Sequence, residues 1–171
     1  SGRLDLAIVG GSDAMLFPGV MAGWGALKVL AMAHNTPMSS TPCRPFSQDR
    51  SGLVIGEGAA AFVLESQRHA LARGARGLAR LAGYASTCDA SSWVLPAVSG
   101  QVAAMRGALM DAGIASSAVD SVNAHATGTD AGDCVEYQAL MDVFGAQTCP
   151  PVTATKSMHG HALGAAGAVE A

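Results

Sequence analysis

Two histidine-bearing strings late in the chain are the residues best suited to chemistry. The first is Asn123-Ala124-His125-Ala126-Thr127-Gly128-Thr129. The second runs Lys156-Ser157-Met158-His159-Gly160-His161-Ala162-Leu163-Gly164-Ala165-Ala166-Gly167. Each sets a histidine among small residues and glycines, so backbone and substrate can approach closely. Two neutral imidazoles in one buried pocket can donate hydrogen bonds to a single developing oxyanion. That arrangement suits acyl transfer or the formation of a carbanion beside a carbonyl. His159, two residues before His161, is read as a supporting group, and His34 and His69 as surface residues.

These loops need elements to hold them, and the apolar pattern supplies candidates. Residues 4–9 form a compact apolar run ending in Gly10-Gly11, which reads as a buried strand. Residues 19–33 carry Val20, Trp24, Leu27 and Leu30 at helical spacing. A loop broken by Pro37, Pro42 and Pro45 follows over residues 35–45. Residues 53–64 read as a long buried strand interrupted by Gly56 and Gly58, and residues 65–73 as a helix stopped by Gly74. Residues 80–87 read as a strand. Residues 99–112 read as an amphipathic helix, with Ser99 as N-cap and Gly113 as stop. A strand over 119–124 leads into the first histidine string, and a helix over 130–144 ends at Gly145. A short strand over 152–155 leads into the second string, and a final helix starts at Gly164. Strands alternating with helices favour an α/β layered fold.

Composition narrows the function classes. Half of the 171 residues are hydrophobic and 13% are charged, against roughly a quarter charged in an ordinary soluble domain. Buried strands, or surfaces awaiting a partner, account for that. The net charge of −3 supplies no basic field for nucleic acid. No run of 18 apolar residues occurs, so no membrane span is expected. Cys43, Cys88, Cys134 and Cys149 have neither metal-ligand nor disulfide-framework spacing, which fits a cytoplasmic protein with free thiols. Cys134 sits near a helix start but beside Asp133, whose charge disfavours a thiolate. It and Cys43 are read as structural thiols. Arg68, Arg73, Arg76 and Arg80 form one basic cluster that either docks an acidic partner or simply ends an exposed helix.

The two histidine strings, together with residues 5–13, 44–57 and 156–171, resemble in order the β-ketoacyl-acyl carrier protein synthases. These are condensing enzymes of the thiolase superfamily. The resemblance runs over essentially the whole chain, yet covers less than half of such an enzyme. It implies part of a thiolase-like α-β-α-β-α fold: residues 1–171 as a partial synthase domain, with the end of the N-terminal half and most of the C-terminal half. The family's nucleophilic cysteine would lie upstream of Ser1, outside this chain. The isolated segment is therefore expected to be inactive.

The resemblance also assigns roles. His125 and His161 match the two histidines that stabilise the enolate of malonyl-carrier protein as it loses CO₂. Lys156 matches the motif lysine and Glu170 its partner acid, since a buried lysine needs a carboxylate. Thr127 and Thr129 match the hydroxyls that bind the phosphopantetheine arm, although threonines in turns also satisfy loop backbone. Asn123, Glu136 and Glu170 match positions around a structural monovalent cation, Na or K, with Glu136 equally able to cap or pair locally. No tightly bound cofactor is implied, phosphopantetheine arriving on the acyl carrier protein. A homodimer is implied by the family alone. Ala126 departs from the family's His-Gly-Thr, which would cost about 1 kcal/mol if that position required positive φ.

The implied reaction is decarboxylative Claisen condensation in fatty-acid elongation. A discrete polyketide ketosynthase would look nearly the same here. A non-condensing, chain-length-determining partner subunit keeps the fold without the nucleophile, but retention of His125, His161 and Lys156 argues against it.

Overall fold

The computed structural model describes residues 4–31 and 42–171. His34 and most of the expected loop at 35–45 lie outside the described residues. Strands and helices alternate as expected. In chain order they are β1 (Leu6–Asp13), α1 (Pro18–Ala26), β2 (Gly58–Glu65), α2 (Gln67–Ala72) and α3 (Val98–Ala112), followed by β3 (Val122–Asn123), α4 (Asp130–Phe144), β4 (Val152–Thr153), α5 (Lys156–His159) and α6 (Ala166–Val169). Two 3₁₀ turns, Ser116–Ala118 and Leu163–Ala165, complete the list of elements.

β1 pairs antiparallel with β2, from Leu6 opposite Glu65 to Asp13 opposite Gly58. The strand runs past the expected end at Val9 because small residues face small residues there: Gly10, Gly11 and Ser12 lie opposite Ala61, Ala60 and Ala59. The long strand expected over 53–64 divides in two. Leu53 and Ile55 are buried and make single parallel bridges to Leu30 and His161, and only from Gly58 does the regular ladder begin. β3 and β4 form a separate parallel pair, Val122 beside Val152 and Asn123 beside Thr153.

Other expectations shift for identifiable reasons. The first helix ends at Ala26, and Lys28 at φ 55 turns the chain so that Leu30 can meet Leu53. Residues 80–87 form no strand, because among the described residues no ladder partner lies beside them. Tyr84 instead donates its N–H to Asp111 Oδ2 at 2.9 Å. Ser99 is not the N-cap of α3; Ala97 holds that position, and its N–H is taken by Asp89 Oδ2 at 2.7 Å. The stops at Gly113 and Gly145 are in place.

The core gathers around the histidine strings rather than around the larger sheet. Ala124, Ala126, Ala139, Leu140, Ala162, Ala165 and Ala166 are buried, whereas Ile8 is 76% and Val63 60% exposed. The accessible surface is 11464 Å², against about 7,700 Å² for a compact monomer of this mass. The outer face of the β1–β2 pair is therefore uncovered. The 171-residue chain expressed alone should bind a hydrophobic dye and self-associate in sedimentation. A monodisperse, dye-free monomer would show that this sheet is stable uncovered.

Candidate active site

β3 and β4 lie side by side and send their following loops to the same place. Ala124 donates its N–H to Thr153 O at 2.8 Å, which locks the start of the first loop to the second strand. Beyond it, the loop is held from α4. Glu136 accepts the His125 N–H at 2.7 Å on one oxygen and the Ala126 N–H at 2.6 Å on the other. Asp133, 1% exposed, accepts the Gly128 N–H at 3.0 Å and the Phe46 N–H at 2.8 Å. Asp133 and Glu136 are three apart, so one face of α4 carries both acids toward the preceding loop. Gly128 needs its identity, since it has φ +82 and a Cβ would meet Gly52 O at 2.8 Å. Ala126 is buried and is not among the residues at positive φ, so the alanine costs no backbone strain.

The second loop is stitched to residues 54–56. His161 donates its N–H to Val54 O at 2.7 Å, and its carbonyl accepts from Gly56 N at 3.0 Å. Gly52 N in turn donates to Gly128 O at 3.0 Å, so this one extended stretch reaches both loops. The result is a pair of imidazoles with ring centroids 5.1 Å apart and planes at 85°.

The surroundings keep both rings neutral. Burial, then the nearby positive charge of Lys156, lowers the His125 pKa from its ordinary value. Burial, then His125 and Lys156, lowers that of His161 to about 4. The Leu163 N–H donates to His161 Nδ1 at 3.2 Å. That nitrogen is an acceptor, so the neutral ring carries its proton on Nε2. An Nε2–H is the kind of donor an oxyanion needs.

Lys156 is fully buried, and its Nζ lies 2.6 Å from both oxygens of Glu170. Thr155 Oγ1 donates to the same carboxylate at 3.3 Å, and Asn123 Nδ2 to the Glu170 carbonyl at 3.2 Å. The ion pair thus ties β3, α5 and the end of α6 together. Thr127 and Thr129 place their hydroxyl oxygens 3.1 Å apart, with Thr127 largely buried. His159 bonds Gly160 O through Nδ1 at 2.7 Å, and its Nε2 is buried without a hydrogen-bond partner among the described residues. His69 is a surface residue of α2, as expected, and is bonded to Glu65.

Asn123, Glu136 and Glu170 offer the oxygen chemistry of an alkali cation, but all three already have protein partners. Glu136 uses both oxygens on backbone N–H groups and Glu170 uses both on Lys156. Among the described residues no cluster of three or more His, Cys, Asp or Glu is arranged to hold a metal. Burial pushes the Cys43 thiol up, the wrong direction for a nucleophile, and Cys134 accepts from Arg50 Nη2 at 3.2 Å. Two of the four clustered arginines are neutralised: Arg68 binds Asp5 at 2.7 and 2.8 Å, and Arg73 binds Glu65 twice at 2.7 Å. That weakens the case for this cluster as a docking patch.

Asp133 and Arg50 received no role from the sequence. Arg50 donates to Thr129 O at 3.3 Å, Asp130 O at 3.1 Å and Ser47 O at 2.9 Å. The signal available was the spacing of Asp133 and Glu136 on a helix that starts directly after the first loop.

The profile of the β-ketoacyl synthase N-terminal domain matches residues 1–70, and that of the C-terminal domain matches residues 78–171. The chain belongs to the β-ketoacyl synthase family. It is 48% identical to nodulation protein E of Rhizobium sp. (strain N33), covering 99% of this chain and 40% of that protein. It is 43% identical to the chloroplastic 3-oxoacyl-[acyl-carrier-protein] synthase II of Arabidopsis thaliana, covering 99% of this chain and 31% of that one. Among solved structures, a type II polyketide ketosynthase in complex with its acyl carrier protein superposes with TM-score 0.92 at 39% identity. That match covers 99% of this chain and 42% of the other. A β-ketoacyl synthase from Burkholderia phymatum STM815 gives 0.88 at 39% identity, covering 99% and 40%. This β-ketoacyl synthase chain thus has part of the thiolase-like fold of these structures and spans about 40% of the length of most of these relatives. No described helix is long and apolar enough to cross a membrane.

Two outcomes follow from the site. Both histidine pKa values fall on folding, so the unfolded chain takes up protons first as pH drops. Stability should therefore decline from roughly pH 6.5 toward pH 4. Urea midpoints measured across that range check this, and a midpoint that rises toward pH 4 contradicts it. Glu170→Ala leaves Lys156 buried and unpaired, and should cost about 3–5 kcal/mol. The Lys156→Met/Glu170→Leu double variant should cost less than the single change in the same unfolding assay.

Proposed function

We propose that this chain supplies the histidine half of the active site of a β-ketoacyl-acyl carrier protein synthase working in fatty-acid elongation. The observation that carries the reading is the perpendicular pair His125 and His161, with the His161 proton on Nε2. In the full enzyme the nucleophile, a cysteine outside residues 1–171, takes an acyl group from the phosphopantetheine thiol of one acyl carrier protein. Malonyl-carrier protein then binds, its arm held by the Thr127 and Thr129 hydroxyls. The bond between the malonyl carboxylate and its methylene carbon breaks, CO₂ leaves, and the electron pair moves onto the thioester carbonyl. His125 and His161 donate to the oxygen that becomes the enolate oxyanion, an interaction worth several kcal/mol where water is excluded. The enolate carbon attacks the acyl-enzyme carbonyl, and the cysteine thiolate leaves with formation of the β-ketoacyl product. Burial above all, with the positive charge of Lys156 added to it, keeps both imidazoles neutral and therefore able to donate.

Residues 1–171 are then a partial synthase domain. A homodimer in the cytoplasm belongs to the same reading, the second part supported by the four unpaired thiols. A Na or K ion at Asn123, Glu136 and Glu170 would be structural, and no step runs through it. A polyketide ketosynthase is the second reading. It is favoured by the likeness to the polyketide complex, whose identity of 39% is close to the 43% of the plant fatty-acid synthase.

The test is CO₂ release from malonyl-carrier protein by the complete enzyme. His161→Ala should lower it by about 10²-fold or more. Near-normal release would refute the role given to His161. Residues 1–171 alone should form no β-ketoacyl product. Release of CO₂ without condensation by the complete protein would identify a non-condensing partner subunit instead.

A further inference from the structure

We propose that Asp13, at the end of β1, is a positioning residue that holds the Leu163–Gly164 turn so that His161 stays an Nε2–H donor. The inference rests on the reading of His161 as an oxyanion donor. It starts from a strained residue. Leu163 has φ 45, a left-handed conformation that is unfavourable for a residue bearing a side chain. Such a conformation persists only where its surroundings hold it. Before it, the 162–163 peptide presents the Leu163 N–H to His161 Nδ1 at 3.2 Å, and after it the left-handed turn carries the chain back toward β1.

β1 supplies the hold. Gly164, the residue after Leu163, donates its N–H to Asp13 Oδ2 at 2.9 Å. Two residues earlier on the same face of β1, Gly11 lets the turn come close, since a Cβ there would meet Gly164 O at 2.7 Å and Ala165 Cα at 3.2 Å. The Gly164 peptide is thus gripped at its N–H by one β1 residue and seated at its carbonyl by another. From below, Ala162, Ala165 and Ala166 are buried and leave the turn little room. Asp13 and Gly164 are 151 positions apart in sequence, so this hydrogen bond is a direct tie from the first strand to the second histidine loop. Without it, Leu163 is free to relax toward negative φ and the 162–163 peptide to turn with it. Its N–H then leaves Nδ1, and nothing in the turn distinguishes the two ring tautomers.

The experiment is ¹⁵N NMR of histidine-labelled complete enzyme at neutral pH, alongside malonyl decarboxylation kinetics. In the wild type the His161 ring should show one tautomer, protonated on Nε2. Asp13→Ala should give a mixture of tautomers and a kcat lower by about tenfold, the loss of one hydrogen bond to a charged group. KM should change by less than about twofold, because substrate binding is not touched. Asp13→Asn keeps an acceptor oxygen and should restore both readouts. If Asp13→Ala does not fold, Asp13→Ser, too short to reach Gly164, takes its place. A single Nε2–H tautomer in the alanine or serine variant overturns the proposal, as does an asparagine variant impaired as badly as either. A wild-type enzyme that releases no CO₂ while its tautomer still responds to Asp13 refutes the catalytic reading and leaves the positioning role standing.

Discussion

The site depends on one extended stretch of backbone, residues 52–56, hydrogen-bonded to both histidine loops at once. Gly52 donates to Gly128 O, while Val54 and Gly56 bracket the His161 peptide. Side chains alone would position two imidazoles loosely, because each ring has rotatable bonds and its own loop. Backbone hydrogen bonds remove the freedom of the loops, leaving only the ring torsions, without requiring any particular side chain on the connecting stretch. Their cost is close packing, which is why small residues crowd every crossing. The 5.1 Å ring separation follows from this stitching.

Electrostatics adds a second constraint. A fully buried lysine beside two histidines would be untenable without Glu170, since an uncompensated buried charge is strongly unfavourable. With Glu170 in place, the pair is held by good geometry and its residual field still favours neutral imidazoles. The acids on α4 act differently. Asp133 and Glu136 accept backbone N–H groups of the first loop, and so convert a helix start into a rigid support for a non-regular segment.

How much of this was legible in the sequence depended on whether a residue acts locally or across the chain. α4 matches its expected span at both ends because its period and its glycine stop are local signals. The pairing of Lys156 with Glu170 was accessible through the family resemblance, since a buried lysine needs a carboxylate but nothing local says which one. Residues 80–87 misled, because their apolar content suits a strand and no ladder partner lies beside them among the described residues. The burial expected along residues 53–64 holds at Leu53 and Ile55 but not at Phe62, Val63 and Leu64, because a paired strand can be apolar and still have an uncovered face. Asp13 carried no local signal at all. Its partner lies at the other end of the chain, and no periodicity marks a tie of that kind.

The β3–β4 pair is only two residues long on each side, yet its register sets where both loops begin. A slip of one residue would shift one loop against the other by about 3.3 Å and turn its side chains to the opposite face. That displacement exceeds the tolerance of any hydrogen bond to a shared oxygen. The family's tolerance for insertions and deletions should therefore be unevenly distributed along this chain. The exposed turn at residues 146–148 bonds back only to the end of α4, through Thr148, and should tolerate a change of length better. Between Val122 and Asp130, and between Val152 and His161, a single added or lost residue would uncouple the two histidines.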